Sequence, residues 1–220
     1  MISNYMKILV YLIVAVAFNV ANASSYEDYF SAVKRDDAGT VANLLKRGFD
    51  ANTLDPKGLH GLFIAVQEPS PKVAELLIRW PKTKVEFRTA KDESPLMLAS
   101  LRGHLDLVRL LIERGGDVNK TGWTPLHYAA TNGHMEIMNL LLEHHAYIDA
   151  ESPNKTTPLM MAAQYGSAAA VKLLLDAGAD ATLRNQLGLN AIDFATRANR
   201  SDSAELIAAS RRSQQPRGKW

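Results

Sequence analysis

The sequence predicts an all-α solenoid of about six stacked helix–turn–helix units joined by β-turn fingers, and three observations carry that prediction. An alanine recurs at Ala32, Ala65, Ala99, Ala129, Ala162 and Ala195. The spacing is nearly constant, except that the step from Ala99 to Ala129 is shorter than the others. Eleven to thirteen positions after each alanine stands an apolar group: Leu44-Leu45, Leu76-Leu77-Ile78, Leu110-Leu111-Ile112, Leu140-Leu141-Leu142, Leu173-Leu174-Leu175 and Leu206-Ile207. Between the copies lie runs such as Asp117 to Gly122 and Asn185 to Gly188, whose Asp, Asn and Gly residues are turn formers rather than strand interiors. A fixed period of about 33 residues marks stacked supersecondary units. One such unit cannot bury its apolar face without a neighbour.

The chain opens differently from the rest. Lys7 precedes a largely apolar run, Ile8 to Val20, followed by Ala21-Asn22-Ala23. A charged start, a short apolar stretch and an A-x-A site describe a secretory signal peptide over 1–23, cleaved after Ala23. The run falls short of the roughly 20 residues needed to span a bilayer, so no stable membrane insertion is expected after cleavage. With no Cys at that site, a lipoprotein anchor is excluded.

The repeats then run through 24–209, at about 26–57, 58–90, 91–121, 122–154 and 155–187, with a closing copy at 188–209. Thr124 to Ala146 shows the unit best. Thr124 suits an N-cap and Pro125 the first helical position. Leu126, Ala129 and Ala130 share one helical face, Gly133 closes the helix, and a second helix from about Glu136 carries Ile137, Leu140 and Leu141 on its stripe. The small alanines let the two helices approach closely. The stretch 210–220, SRRSQQPRGKW, is polar and basic and is expected to be a disordered tail.

SPLMLASLRGHLDLVRLLIERGGDVN, TPLHYAATNGHMEIMNLLLEHHAYID and TPLMMAAQYGSAAAVKLLLDAGADAT resemble ankyrin repeats. The resemblance covers Tyr26 to about Ala209. Its ends depart from the pattern: the first copy has no Thr-Pro opening and puts Asp36 in place of glycine, and the last has Ala191 for proline and Asn199 for glycine. Degenerate, more polar end copies are expected, since the ends of a stack face water. Both read as caps.

Composition narrows the function classes. The 220 residues include 25 basic and 23 acidic ones and no Cys. Setting aside Lys7 and the tail cations Arg211, Arg212, Arg217 and Lys219 leaves a mildly acidic body. Nothing in it forms the basic stripe that nucleic-acid binding needs. Without thiols, cysteine nucleophiles and Cys-based zinc sites are excluded, and stability must come from stacking alone. Sequons at Asn119, Asn154 and Asn199 would place glycans in the inter-repeat turns of a eukaryotic secreted protein, which favours a bacterial periplasm.

A search for chemistry finds none. No HExxH, GxSxG or phosphate-loop pattern occurs. His127 falls in the TPLH position, where the resemblance implies a role in the turn's own hydrogen bonds. His104 and His134 occupy equivalent places in adjacent repeats. Packed helices lie roughly 8–10 Å apart, whereas zinc ligands converge to about 2 Å from one ion. Structural roles follow, with His144-His145 in a solvated loop. Asp106, Glu136 and Glu143 read as solvated faces. The chain is expected to be a non-enzyme that binds no cofactor and no metal.

The resemblance implies binding through turn tips and inner helices, on a surface like a cupped hand. Counted from each alanine, the inner positions lie nine, eight and six places before it and two and three after. They include Lys91, Leu101 and Arg102 in the third copy; Lys120, Thr121, Trp123, Thr131 and Asn132 in the fourth; Pro153, Asn154, Thr156, Gln164 and Tyr165 in the fifth; and Leu187, Leu189 and Arg197 in the sixth. The candidate partner-binding set is Lys91, Leu101, Arg102, Trp123, Asn132, Gln164, Tyr165, Leu187 and Arg197. Trp, Tyr and Arg dominate interface hot spots, and Trp123 sits beside the three-residue deletion between Asn119 and Gly122. It is either a binding anchor or a ring filling the gap. The expected function is a monomeric, periplasmic protein-binding scaffold. Two narrower forms are an inhibitor or immunity protein for a secreted effector, and an accessory factor for an envelope stress or redox enzyme.

Overall fold

The computed structural model describes residues 24–214. The signal peptide expected over 1–23 and the end of the tail, 215–220, lie outside them. Among the described residues the regular structure is helical, with one isolated antiparallel bridge between Leu54 and His60. The chain divides into two compact units, one ending at Thr83 and one beginning at Lys84. Each is a set of paired helices, the all-α repeat architecture that the periodicity predicts.

The first unit holds α1 (24–34), α2 (Ala38–Lys46), α3 (Gly61–Gln67) and α4 (Pro71–Arg79). Its core gathers around Tyr29, which is fully buried. The Tyr29 hydroxyl donates to the Ala51 carbonyl at 3.2 Å and its ring lies 4.6 Å from Phe49. Gly61 is required there: a Cβ would stand 2.2 Å from the Tyr29 oxygen. The end-copy substitutions act as predicted turns. Asp36 takes the left-handed conformation, φ 55°, which its short polar side chain tolerates better than most. Its Oδ1 also accepts the Val73 N–H at 2.9 Å, capping α4, whose own N-cap Ser70 makes no side-chain cap bond.

The second unit holds the pairs α5 (Pro95–Arg102) and α6 (Leu105–Glu113), α7 (Pro125–Asn132) and α8 (Met135–Glu143), α9 (Pro158–Gln164) and α10 (Ala168–Asp176), and α11 (Ala191–Arg197) and α12 (Ser201–Gln214). Proline at the first position opens α5, α7 and α9, where its missing N–H costs nothing. Gly103 and Gly133 close α5 and α7 in the left-handed region. The longer helices end in paired turns, with Gly116, Ala146 and Ala179 donating back to the carbonyls of Leu111, Leu141 and Leu174 at 2.8–2.9 Å; the residues before them, Gly115, His145 and Gly178, have positive φ. Short helices α5, α7, α9 and α11 pack successively, as do α6, α8, α10 and α12. Ala99, Ala129, Ala162 and Ala195 are fully buried in that contact, beside Leu96, Leu126 and Leu159.

Three features refine the sequence reading. The boundary between the two units, after Thr83, falls inside the copy placed at 58–90. Shortly before it Trp80 is extended (φ −68°, ψ 123°), as a residue preceding proline must be. Pro81 thereby removes the left-handed turn that follows α2, α6, α8 and α10. Residues 210–214, placed in a tail, are helical, because α12 runs to Gln214; Arg211 and Arg212 in its last turn favour the negative end of the helix dipole. Finally, the Thr124 cap of α7 is a box shared with the His127 side chain. The Thr124 N–H donates to His127 Nδ1 at 3.1 Å and its hydroxyl meets the same nitrogen at 2.9 Å.

Candidate functional site

The surface is built from turns upward. Four fingers share one design: Asp55–Leu59 in the first unit, and Thr89–Glu93, Ser152–Thr156 and Asn185–Leu189 in the second. In each, the first residue donates its N–H to the fifth carbonyl at 2.9–3.0 Å, and the fourth N–H returns to the first carbonyl at 2.7–2.9 Å. The first side chain then accepts the fifth N–H, at 2.8, 3.2, 2.9 and 3.1 Å for Asp55, Thr89, Ser152 and Asn185. The fourth residue has positive φ in every case: Gly58, Asp92, Lys155 and Gly188. Only residues with a short side-chain acceptor hold such a turn from inside.

The finger between α6 and α7, shortened by the deletion, has no such hairpin. Lys120 bridges the gap instead. Its Nζ donates to the Asp92 carboxylate and to the Thr121 carbonyl, the latter at 2.9 Å, and the residue is only 8% exposed. Next to it Trp123 is half-buried, its ring edge-on to His127 at 5.2 Å. His127 is fully buried and ties α7 to the following finger, donating from Nε2 to the Thr156 carbonyl at 2.9 Å. Since Nδ1 accepts from Thr124, the ring is the neutral Nε2–H tautomer. Burial pushes its pKa down to about 4.

Trp123 borders three hollows. One, of about 310 Å³, also takes in Gln164, Tyr165, Leu187 and Arg197. A second, of about 230 Å³, lies against Leu101, Tyr128 and Met161. A third, of about 540 Å³, reaches Lys91 and the fingertips on either side. Seven of the nine candidate residues, Trp123 among them, therefore border these three hollows. Arg102 and Asn132 border none of these hollows; Asn132 Nδ2 donates to the Leu101 carbonyl at 2.7 Å. Tyr165 and Leu187 are exposed, at 53% and 77%, a large apolar area for a surface to leave in water.

Two residues expected to be exposed are not. Lys120 is held by Asp92, and Thr156 is 2% exposed with its carbonyl committed to His127. Reading the sequence also passed over Tyr128, Met161 and Phe194, which line the hollows. Each stands one place before its alanine. That position lies three and four places before the two that were chosen, hence on the same helical face, and the spacing alone could have found it.

Titratable groups do not converge. Burial raises the Glu86 and Asp149 carboxyls and lowers His104, but these belong to separate networks. Of the groups with shifted pKa values, His127 and Tyr128 border one of these three hollows. His134 Nε2 meets the Leu101 carbonyl at 3.0 Å. Among the described residues no group of three His, Asp or Glu side chains is placed to hold a metal ion. No helix among them is long and apolar enough to cross a membrane.

Paired short helices, clamped fingers and an aromatic inner surface define a stacked-repeat scaffold. Models of ankyrin repeats in three copies match residues 29–121 and 62–152, and a model of ankyrin repeats in many copies matches 141–195. The chain belongs to the ankyrin-repeat family. A putative ankyrin repeat-containing protein of Treponema pallidum is 27% identical over 171 residues, covering 77% of this chain and 47% of that protein. The p105 subunit of nuclear factor NF-kappa-B from Gallus gallus is 29% identical over 161 residues, 70% of this chain and 16% of its own length. The ankyrin repeat and KH domain-containing protein mask of Drosophila melanogaster is 32% identical over 102 residues, 44% and 2%. The chain thus spans less than half the length of these curated relatives. Among solved structures, a chain from the complex of the predatory endopeptidase Bd0816 of Bdellovibrio bacteriovorus with the immunity protein Bd3460 superposes with a TM-score of 0.72 and 26% identity, over 83% of this chain and 97% of that one.

Proposed function

We propose that this chain is a non-enzymatic binding protein that acts outside the cytoplasm, in the manner of an immunity protein that holds an exported peptidase or related effector in check. The observation that carries the reading is the superposition on a chain of the endopeptidase–immunity protein complex, which spans 97% of that chain. The export segment expected over 1–23 supports the compartment. The hollows around Trp123 supply a means of grip, because Trp, Tyr and Arg at the centre of an interface carry most of its energy. A stack that is already ordered loses little conformational freedom on binding.

Two measurements test this. The full chain, expressed in a bacterium with its own leader and a C-terminal tag, is expected in the periplasmic fraction with Ser24 as its first residue. Retention in the cytoplasm refutes the compartment. Captured from that fraction, it is expected to bring down an exported hydrolase whose activity falls as more chain is added. Trp123→Ala with Tyr165→Ala should weaken that capture by about a hundredfold, the equivalent of about 3 kcal/mol, with the thermal midpoint hardly changed from wild type. A captured enzyme that keeps its full activity sinks the inhibitor role. A large fall in the midpoint assigns Trp123 to filling the gap.

A further inference from the structure

We infer that the notch at the shortened finger is a receptor for an acidic turn of the protein partner. The inference builds on the binding role proposed above and names the chemistry that one part of the surface selects.

Where two full fingers stand side by side, their tips are joined: the Gln186 N–H donates to the Asn154 carbonyl at 3.0 Å and its side-chain Nε2 to the Pro153 carbonyl at 2.9 Å. The finger between α6 and α7 is too short to make such a joint. It leaves the hollow of about 540 Å³, flanked by Lys91 and Asp92 on one side and by Ser152, Pro153 and Lys155 on the other. That volume lies in the range of built ligand sites. The amides of Thr121 and Gly122, on its border, find no acceptor among the described residues.

The polar groups choose the occupant. The Lys120 ammonium carries three N–H donors, its side chain is 5% exposed, and two acceptors meet it: the Asp92 carboxylate and the Thr121 carbonyl. A third acceptor is wanting at a site nearly closed to water, where an unmet donor is costly. Around it the charges do not cancel. Asp92 is engaged by Lys120 and, at 3.8 Å, by Arg88, and Glu151 pairs with Lys155 at 3.7 Å. Lys91 has no carboxylate partner among the described residues, which leaves the notch one positive charge in excess on an otherwise mildly acidic body. A carboxylate presented on a tight turn completes Lys120, neutralises Lys91 and accepts from the free amides. A basic or purely apolar segment does none of these.

The probe is a short peptide, Ac-Gly-Asp-Glu-Gly-NH2, titrated into the 15N-labelled full chain against its amide analogue Ac-Gly-Asn-Gln-Gly-NH2. The Thr121 and Gly122 amide signals are expected to shift saturably with the acidic peptide, at least about tenfold more weakly with the analogue, and hardly at all in about 0.5 M salt. Lys120→Met should abolish the effect. Since that change also removes a buried ion pair, Lys91→Met, at an exposed side chain, provides the independent check, with an expected loss of about fivefold. Equal shifts with both peptides, or none at these amides, overturn the inference. A second variant replaces Lys120-Thr121 with Ser-Pro-Asn-Lys-Thr, restoring a regular finger. It is expected to fold and to lose the peptide. If wild type captures no exported protein, the proposed function fails while the peptide titration still decides the notch. If the lengthened finger captures that protein as well as wild type does, the notch fails alone.

Discussion

At the scale of single residues, the repeat imposes the same geometry on side chains of different chemistry, and His127 shows the cost. Its imidazole is buried neutral, with both nitrogens committed. The folded pKa of about 4 lies below the ordinary value of 6.5, so the unfolded chain binds the proton more tightly. The contribution is complete above pH 6.5 and is lost as the pH falls toward 4, by about 3 kcal/mol at most. Urea unfolding is expected to show that loss between about pH 7 and pH 4.5, and His127→Gln to be less stable at neutral pH but to flatten the profile. An unchanged slope assigns the acid sensitivity to other groups. Gly166 makes a separate demand. A Cβ there would stand 2.5 Å from the Ala130 carbonyl oxygen and 2.9 Å from Ala162 Cα, all backbone that cannot step aside. Gly166→Ala is expected to cost about 2–3 kcal/mol, read as a lower urea midpoint. Such positions were only partly legible. TPLH pointed to His127 as a turn residue, but nothing in the sequence around Lys120 says that its ammonium turns inward to Asp92, because that contact depends on the tip of the preceding finger.

At the scale of elements, one repeat finishes the helix of the one before. His134 reaches back to the Leu101 carbonyl, and Arg200, at the equivalent register, reaches back to the end of α9. Its guanidinium donates to the carbonyls of Gln164, Tyr165 and Gly166. One planar fork thus serves three carbonyls that the helix itself cannot pair. Arg200→Met is expected to destabilise the chain by about 2–3 kcal/mol and to speed amide hydrogen exchange at the end of α9. Loss of stability with no change in exchange there would move the effect elsewhere. Helix starts were the most legible elements, since Pro95, Pro125 and Pro158 stand where the structure opens α5, α7 and α9. The sixth copy lacks proline, and its helix starts at Asn190, whose Oδ1 accepts the N–H groups of Ile192 and Asp193. The hollows were less so. Register from the alanines found Trp123, Tyr165 and Leu187, yet omitted the helical neighbours Tyr128, Met161 and Phe194.

For the whole molecule, the regular spacing of the alanines made the architecture plain, while the extended turn after α4 follows from one dipeptide. Trp80-Pro81 replaces a turn that the other long helices close with a left-handed residue. Lys82 and Lys84 are exposed on either side of the boundary. Brief trypsin treatment is expected to cut there first, giving two fragments by mass; a first cut within any helix pair would show that the boundary is no weaker than the rest. With no cysteine in the chain, neither fragment is held to the other by a disulfide.

The clamped fingers separate two kinds of information. In each, the first side chain, the fifth residue and the positive φ of the fourth hold the turn; of the second and third residues only Asn154 adds a side-chain bond to it, its Oδ1 accepting from the Ser152 hydroxyl and the Thr156 N–H. The second and third residues are Pro56 and Lys57, Ala90 and Lys91, Pro153 and Asn154, Gln186 and Leu187, all exposed. Substitutions at the seven positions other than Asn154 leave the clamp intact, so mutation can rewrite what the surface recognises at little expense to folding. A lineage caught in an arms race with a changing effector would be expected to vary fastest at these positions and slowest at Asp55, Thr89, Ser152 and Asn185 beside them.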